Sequence, residues 1–176
     1  FSKWADAGAV GVKTDYFEGE EQQVLNVMEN IAVIGAKYHF MVLYHGCIAP
    51  GGESRTYPNI LTTEAVLGEE NRKWSNNPSS KDCLMFPFTR NILGSMDYTP
   101  ACKDINNNNN ETEGFAIAKS VVYESGLLHL AAPAKEYRDY IGLPFLQSLY
   151  TTWDESFVPA QEAYPGKYIT YVRRHD

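Results

Sequence analysis

Asp15 ends the run Ala9-Val10-Gly11-Val12-Lys13-Thr14-Asp15, a short apolar strand that stops on a lysine and a carboxylate. A second run, His39-Phe40-Met41-Val42-Leu43-Tyr44-His45, stops as abruptly on an imidazole followed by Gly46. Carboxylate and imidazole are groups that attack or carry protons. In a parallel α/β barrel every strand finishes at one face, so catalytic groups far apart in the sequence meet there. The two runs therefore point to a barrel-type active site.

The elements that must position these groups alternate between two periodicities. Residues 1–7 read as the tail of a helix stopped by Gly8, and a strand over 10–15 follows. Over 20–37, Val24, Val27, Met28, Ile31 and Ile34 have the one-faced spacing of an amphipathic helix, with acids expected in its first turn and a last turn weakened by Gly35. A strand over 40–44, a Gly- and Pro-containing loop over 47–59 and a strand over 60–67 come next. Residues 68–82 read as irregular, 84–92 as a short helix broken by Pro87, and 94–98 as a short strand. Asn106 to Asn110 is a polyasparagine run that cannot bury apolar area and reads as a surface loop. A helix over 115–123, a buried strand over 127–131 and a helix over 134–141, ended near Pro144, bring the strands to about five. Beyond them, 150–158 and 168–173 alternate as antiparallel β on either side of a Tyr164-Pro165-Gly166 turn.

Composition narrows the function. At 176 residues and 44% hydrophobic content the chain fits one domain with a real core. A net charge of -7 without a basic run argues against nucleic acid, whose phosphates call for clustered Lys and Arg. No stretch reaches the roughly 20 apolar residues of a membrane span, since 31–44 is interrupted by Lys37 and His39. Cys47, Cys83 and Cys102 are too scattered for a disulfide framework or a zinc motif, and a single bridge stays open. The chain opens on Phe1 with neither an initiator Met nor a charged-then-apolar leader, so it reads as starting inside a fold and does not report its compartment.

A series of short motifs then carries a resemblance. Gly11-Val12-Lys13-Thr14-Asp15-Tyr16-Phe17, Tyr44-His45-Gly46-Cys47, Arg55-Thr56-Tyr57-Pro58-Asn59, Thr63-Glu64-Ala65, Gly68-Glu69-Glu70, Phe86-Pro87-Phe88-Thr89-Arg90 and Met96-Asp97-Tyr98-Thr99-Pro100 occur in an order and spacing that closely resemble glycoside hydrolase family 97. Tyr123-Glu124-Ser125, Trp153-Asp154-Glu155 and Tyr164-Pro165-Gly166-Lys167-Tyr168 continue it. The resemblance implies an α/β fold: residues 1–149 as the later part of a (β/α)8 barrel, its fourth to eighth strands, and 150–176 as a β-rich tail leading to a C-terminal β domain. It also implies a periplasmic or secreted bacterial protein. Open barrel edges recruit partners, so a homo-oligomer is expected.

The family has retaining members, known mainly as α-galactosidases, and inverting α-glucosidases. Retaining members have an aspartate nucleophile at the position matching Asp15, whereas inverting members use glutamate bases, one of which falls at Gly46 here. The resemblance thus implies a retaining α-glycosidase with Asp15 as nucleophile and Glu70 as general acid/base, the neighbouring Glu69 remaining an alternative acid. Retention requires the two carboxyls to lie about 5–5.5 Å apart, with different ionisation. Lys13, on the same strand face as Asp15, would keep it anionic, and burial beside that negative charge would keep Glu70 protonated.

Lys13, His45, Arg55, Tyr57, Asp97 and Trp74 are candidate substrate contacts. All but Lys13 have a plain alternative: a strand-end histidine satisfied by backbone, a rigid Arg-Thr-Tyr-Pro turn, a capping aspartate, a loop tryptophan over a core. Glu124 and His129 read as packing residues around the last strand. Family members bind Ca²⁺ near the acid, and Glu64 and Glu70 match that ligand set. With calcium taking about 6–8 oxygens, binding by this chain alone is expected to be weak. Two further readings stay open: an inactive or sugar-binding piece of such an enzyme, and an inverting α-glucosidase with a relocated base.

Overall fold

Short apolar runs separated by one amphipathic helix build a parallel sheet. In the computed structural model, which describes residues 1–74, 78–101 and 111–176, helix α1 (Ser2–Asp6) leads into strand β1 (Gly11–Thr14), helix α2 (Gln22–Lys37), strand β2 (Met41–Tyr44) and strand β3 (Ile60–Thr63). β1 pairs in parallel with β2, Gly11 opposite Met41 through Thr14 opposite Tyr44, and β3 adds in parallel on the other side of β2. The order is β1-β2-β3, so β1 keeps one unpaired edge among the described residues. The polyasparagine run and Cys102 lie outside the described residues.

α2 is the crossover that covers this sheet. Met28, Ala32 and Gly35 form its buried stripe, at the i, i+4, i+7 spacing that lies on one helical face. Gly35 serves packing: a Cβ there would lie 2.9 Å from Val42 Cγ2, so the helix sits down on β2 only because that atom is missing. Tyr44 Oη donates to the Met28 carbonyl at 2.6 Å and ties the two layers together. The helix starts at Gln22 rather than Glu20, which leaves the acids just ahead of the first turn. The β2-to-β3 connection carries only a 3₁₀ turn, Glu53–Arg55. The side left without a helix opens a cavity of about 690 Å³ between α2 and β3, lined by Leu25, Met28, Tyr44, Tyr57, Ile60 and Thr62 among others.

Five strands were expected in the sheet and, among the described residues, three form it. The 94–98 run contributes a single parallel bridge, Met96 with Thr63, strengthened by Asp97 N–H donating to the Thr63 carbonyl at 3.1 Å. Met96 N–H donates in turn to the Glu124 carbonyl at 2.8 Å. The 127–131 run makes no strand. It has no β-branched residue to favour the extended state, and it is apolar because Leu130 packs on Ala101, Tyr137 and Tyr140. β3 ends at Thr63 instead of continuing to residue 67, because Ala65 turns left-handed at φ 40°.

Helix α3 (Ser80–Cys83) carries a reciprocal Ser79–Asp82 capping box. Pro87 interrupts the next stretch as expected, leaving 3₁₀ turns at Phe86–Phe88 and Arg90–Leu93. Helix α4 (Glu113–Val122) starts on a Thr112 cap. The expected helix over 134–141 is a 3₁₀ turn, Ala134–Tyr137, followed by helix α5 (Leu143–Ser148). Pro144 falls in the first turn of α5, where its missing N–H is no loss, and so opens a helix rather than ending one. A second core gathers Cys83, Met96, Tyr98 and Tyr123, with the two tyrosine rings 4.7 Å apart edge to face.

The tail forms two small antiparallel pairs, β4 (Glu155–Phe157) with β7 (Val172–Arg174) and β5 (Ala163–Tyr164) with β6 (Tyr168–Ile169). Arg173 donates to the carbonyls of Val121 and Val122, capping the C-terminus of α4. No helix among the described residues is long and apolar enough to cross a membrane.

Candidate active site

Each strand delivers one chemical group at its exit. Asp15 follows β1, His45 follows β2, Glu64 follows β3, and Asp97 follows the Met96 bridge. The chain then turns left-handed at or next to each exit, at Tyr16 (φ 65°), Gly46 (φ 51°), Ala65 (φ 40°) and Thr99 (φ 54°). Left-handed backbone is costly for side chains other than glycine, and it gathers where function over-determines the geometry. Because the strands are parallel, all four exits share one edge of the sheet.

At that edge, Asp97 and His45 form the centre. Asp97, almost wholly buried, accepts from Lys13 Nζ at 2.9 Å and sits 2.9 Å from His45 Nδ1, both through Oδ2. His45 Nε2 lies 2.7 Å from Glu70 Oε1 and 3.3 Å from Glu64 Oε1. Glu64 Oε2 accepts from Gly46 N–H at 2.7 Å. His129 approaches from outside, its Nδ1 3.9 Å from Asp97 Oδ1. The imidazole thus bridges three carboxylates, and Lys13, expected to face Asp15, closes on Asp97 instead.

Burial by itself would make the His45 imidazole less basic. Its hydrogen bonds to Asp97 and Glu70 and the charge of Glu64 outweigh that and push it up to about 9. Burial pushes the Glu64 carboxyl up, against the pull of His45. Burial also acts to raise Asp97, but the His45 and Lys13 bonds prevail and hold it below the usual carboxylate range. The stabilisation from the His45⁺ cluster is therefore fully present below the ordinary histidine value and is lost as pH rises through about 9. Urea denaturation across that window is expected to show stability falling by on the order of 3 kcal/mol, and a flat profile would refute the charged imidazole. The Asp97 contribution disappears at the acid end, as pH falls through its lowered pKa.

Asp15 is exposed, and its Oδ1 accepts from Tyr16 N–H at 2.7 Å. It rests against the backbone of Gly46: a Cβ on that glycine would lie 2.4 Å from Asp15 Oδ1 and 2.9 Å from Tyr16 N. Glu70 belongs to the 3₁₀ turn Glu69–Trp74. Glu69, the alternative acid, is buried away from the edge in ion pairs with Arg72 at 3.1 Å and Lys119 at 2.9 Å.

Other candidates fall elsewhere. Arg55 is exposed on its 3₁₀ turn, with its guanidinium against Gly52. Tyr57 hydrogen-bonds Glu29 and lines the cavity beside α2, which none of the strand-exit acids reaches. Trp74 is exposed at the end of the Glu69–Trp74 turn. Arg90 went unremarked in the sequence beyond its motif. It is buried and donates to the carbonyls of Thr63, Glu64, Gly94 and Ser95, which fixes the backbone from which Glu64 projects. His129, read as a packing residue, joins the edge of the cluster.

His45, Glu64 and Glu70 bring ligand atoms within 4.8 Å of one another. Two convergent carboxylates suit a divalent cation in kind, but they supply at most four of the about 6–8 oxygens calcium takes. The His45 nitrogen faces both carboxylates.

Comparison with known proteins finds relatives over nearly the whole chain. The family model described as glycoside hydrolase 97 matches residues 1–66. A probable retaining alpha-galactosidase of Streptomyces bingchenggensis is 35% identical over 168 residues, covering 94% of this chain and 26% of the relative. A retaining alpha-galactosidase of Bacteroides thetaiotaomicron is 33% identical over 186 residues, covering 97% of this chain and 28% of the relative. The crystal structure of a beta-arabinopyranosidase superposes with a TM-score of 0.84 at 31% identity, over 99% of this chain and 30% of that one. This chain therefore spans little more than a quarter of the length of the curated relatives it matches. With motif order and relatives in agreement, the chain is similar to glycoside hydrolase family 97 over nearly its whole length.

Proposed function

We propose that this chain carries part of the catalytic face of a (β/α)8 barrel in a retaining α-glycosidase acting on galacto-configured glycosides. One observation carries the choice of mechanism. Asp15 Oδ1 stands where a Cβ at residue 46 would have to be, only 2.4 Å from it. This close approach supports an aspartate nucleophile at the first exit paired with a glycine at the second.

In the first step the Asp15 carboxylate attacks the anomeric carbon, the glycosidic C–O bond breaks, and the departing oxygen takes a proton from Glu70. Water then cleaves the glycosyl ester while Glu70 accepts its proton. His45 lies 2.7 Å from Glu70 Oε1 and is steadied from behind by Asp97, so the Glu70 carboxyl group is held in a fixed direction. Glu64 and Glu70 would hold a Ca²⁺ in the larger protein, with further ligands supplied from outside this chain. Such a cation supplies fixed positive charge beside the sugar.

The names of the relatives support the substrate class. A β-L-arabinopyranoside has the ring configuration of an α-D-galactopyranoside and lacks only the exocyclic hydroxymethyl group, so both present the same axial hydroxyl. The test is the anomer released first from an aryl α-galactoside, followed by NMR, beside the α-glucoside and β-L-arabinopyranoside. α-Galactose as first product is expected. β-Product, or turnover of the glucoside alone, would overturn the reading. Sugar binding by calorimetry without turnover would make the chain a binding piece.

A further inference from the structure

Two consecutive glutamates, Glu69 and Glu70, stand in one 3₁₀ turn and meet different partners, Glu69 with Lys119 and Arg72 and Glu70 with His45. Successive residues of such a turn point about 120° apart, so a rotation by one residue would exchange their places. Something must decide which of them faces the site. Glu69 supplies the answer: its carboxylate is held by Lys119 Nζ at 2.9 Å and by Arg72 at 3.1 Å, and its N–H donates to the Tyr98 carbonyl at 2.9 Å. Lys119 also meets Glu111 at 2.9 Å, and Arg72 pairs with Glu111 as well.

Lys119 is an unusual residue for a helix of this size. It is 97% removed from solvent, with its ammonium 5.4 Å from the Tyr98 ring and 5.6 Å from the Phe115 ring. Burying four charges in an aromatic core is a poor way to gain stability, and a hydrophobic replacement often does as well. What the cluster does supply is direction. It joins α4, the Glu69–Trp74 turn and the strand exit at Asp97 through Tyr98, leaving Glu70 Oε1 2.7 Å from His45 Nε2.

We infer that Lys119, through its buried pairing with Glu69, is a positioning residue that fixes the register of this turn and so selects Glu70 as the glutamate presented to the site. The inference rests on the reading of Glu70 as the general acid only for its catalytic readout. Lys119→Met alone would leave Glu69 and Glu111 sharing Arg72, with one buried negative charge in excess, so the decisive variant is the neutral pair Glu69→Gln with Lys119→Met. Lys119→Arg is the conservative control.

Two measurements separate positioning from mere stability. The first needs no turnover. In the metal-free chain at a fixed, mildly acidic pH, the His45 Nε2 proton bonded to Glu70 gives a downfield NMR resonance, which should be lost in the neutral double variant, retained in Lys119→Arg, and shifted in Glu70→Gln. The second is leaving-group dependence in the chain if it turns over. Aryl glycosides with activated leaving groups need no acid, whereas poor ones do, so the double variant should lose on the order of 10²-fold on the poor substrates only. A folded double variant that keeps the resonance would overturn the inference. Glu70→Gln without leaving-group dependence would instead remove the acid role from Glu70, and the resonance would still report the lock.

Discussion

Asp15→Gly is expected to lower hydrolysis of an aryl α-galactoside by on the order of 10⁴-fold, and added azide should restore release as a β-galactosyl azide. The physical argument is local. Asp15 is exposed at the sheet edge, is bonded to the Tyr16 amide, and touches the Gly46 backbone. Its removal opens a space on the face of the sugar opposite the leaving group without disturbing a core. A small anion can enter that space and attack the anomeric carbon in place of the carboxylate, giving a product of opposite anomeric configuration because only one displacement occurs. A variant that keeps activity, or an azide product with retained configuration, would rule out Asp15 as nucleophile.

Asp97→Ala should have the largest effect on the fold. It leaves Lys13 and His45 without the carboxylate that each meets at 2.9 Å, inside a site where Asp97 itself is almost fully buried. Breaking a buried pair by removing one partner costs about 3–5 kcal/mol, and urea denaturation should register a loss of that size. Asp97→Asn keeps the shape and part of the hydrogen bonding, and should cost distinctly less. His45 loses its strongest raising partner in either variant, so the alkaline fall in stability should move to lower pH. Equal stability of Asp97→Ala and the parent would show that the carboxylate carries no structural charge pairing.

The sequence made the exits legible and the sheet only in part. β1, α2 and β2 follow from strong local patterns: Val12, Val42 and Leu43 alternate or run together as strand residues do, and Met28 and Ala32 repeat at helical spacing. The 94–98 run was legible as extended chain, yet one bridge is all that pairing with Thr63 leaves of it. Leu127 to Ala131 misled because an apolar run without β-branched residues fits a packed loop equally well. Within the site, Asp15 and His45 were visible as polar residues closing a strand-like run, whereas Glu64 and Asp97 fell inside the expected strands 60–67 and 94–98 and stood out only by their motifs. The pairing of Lys13 with Asp97 across 84 positions has no local trace. Nor does the separation of Glu69 from Glu70, which depends on a lysine fifty residues further along that reads in the sequence as an ordinary polar position of an amphipathic helix.

The contact between residue 15 and residue 46 has an evolutionary corollary. An ancestor wishing to exchange one stereochemical outcome for the other could not do so by a lone substitution. Gaining a side chain at the glycine while the aspartate stays would crowd both, and on the proposed roles losing the aspartate first would leave neither nucleophile nor base. The two positions should therefore change hands as a unit, with any intermediate sequence passing through a catalytically silent form.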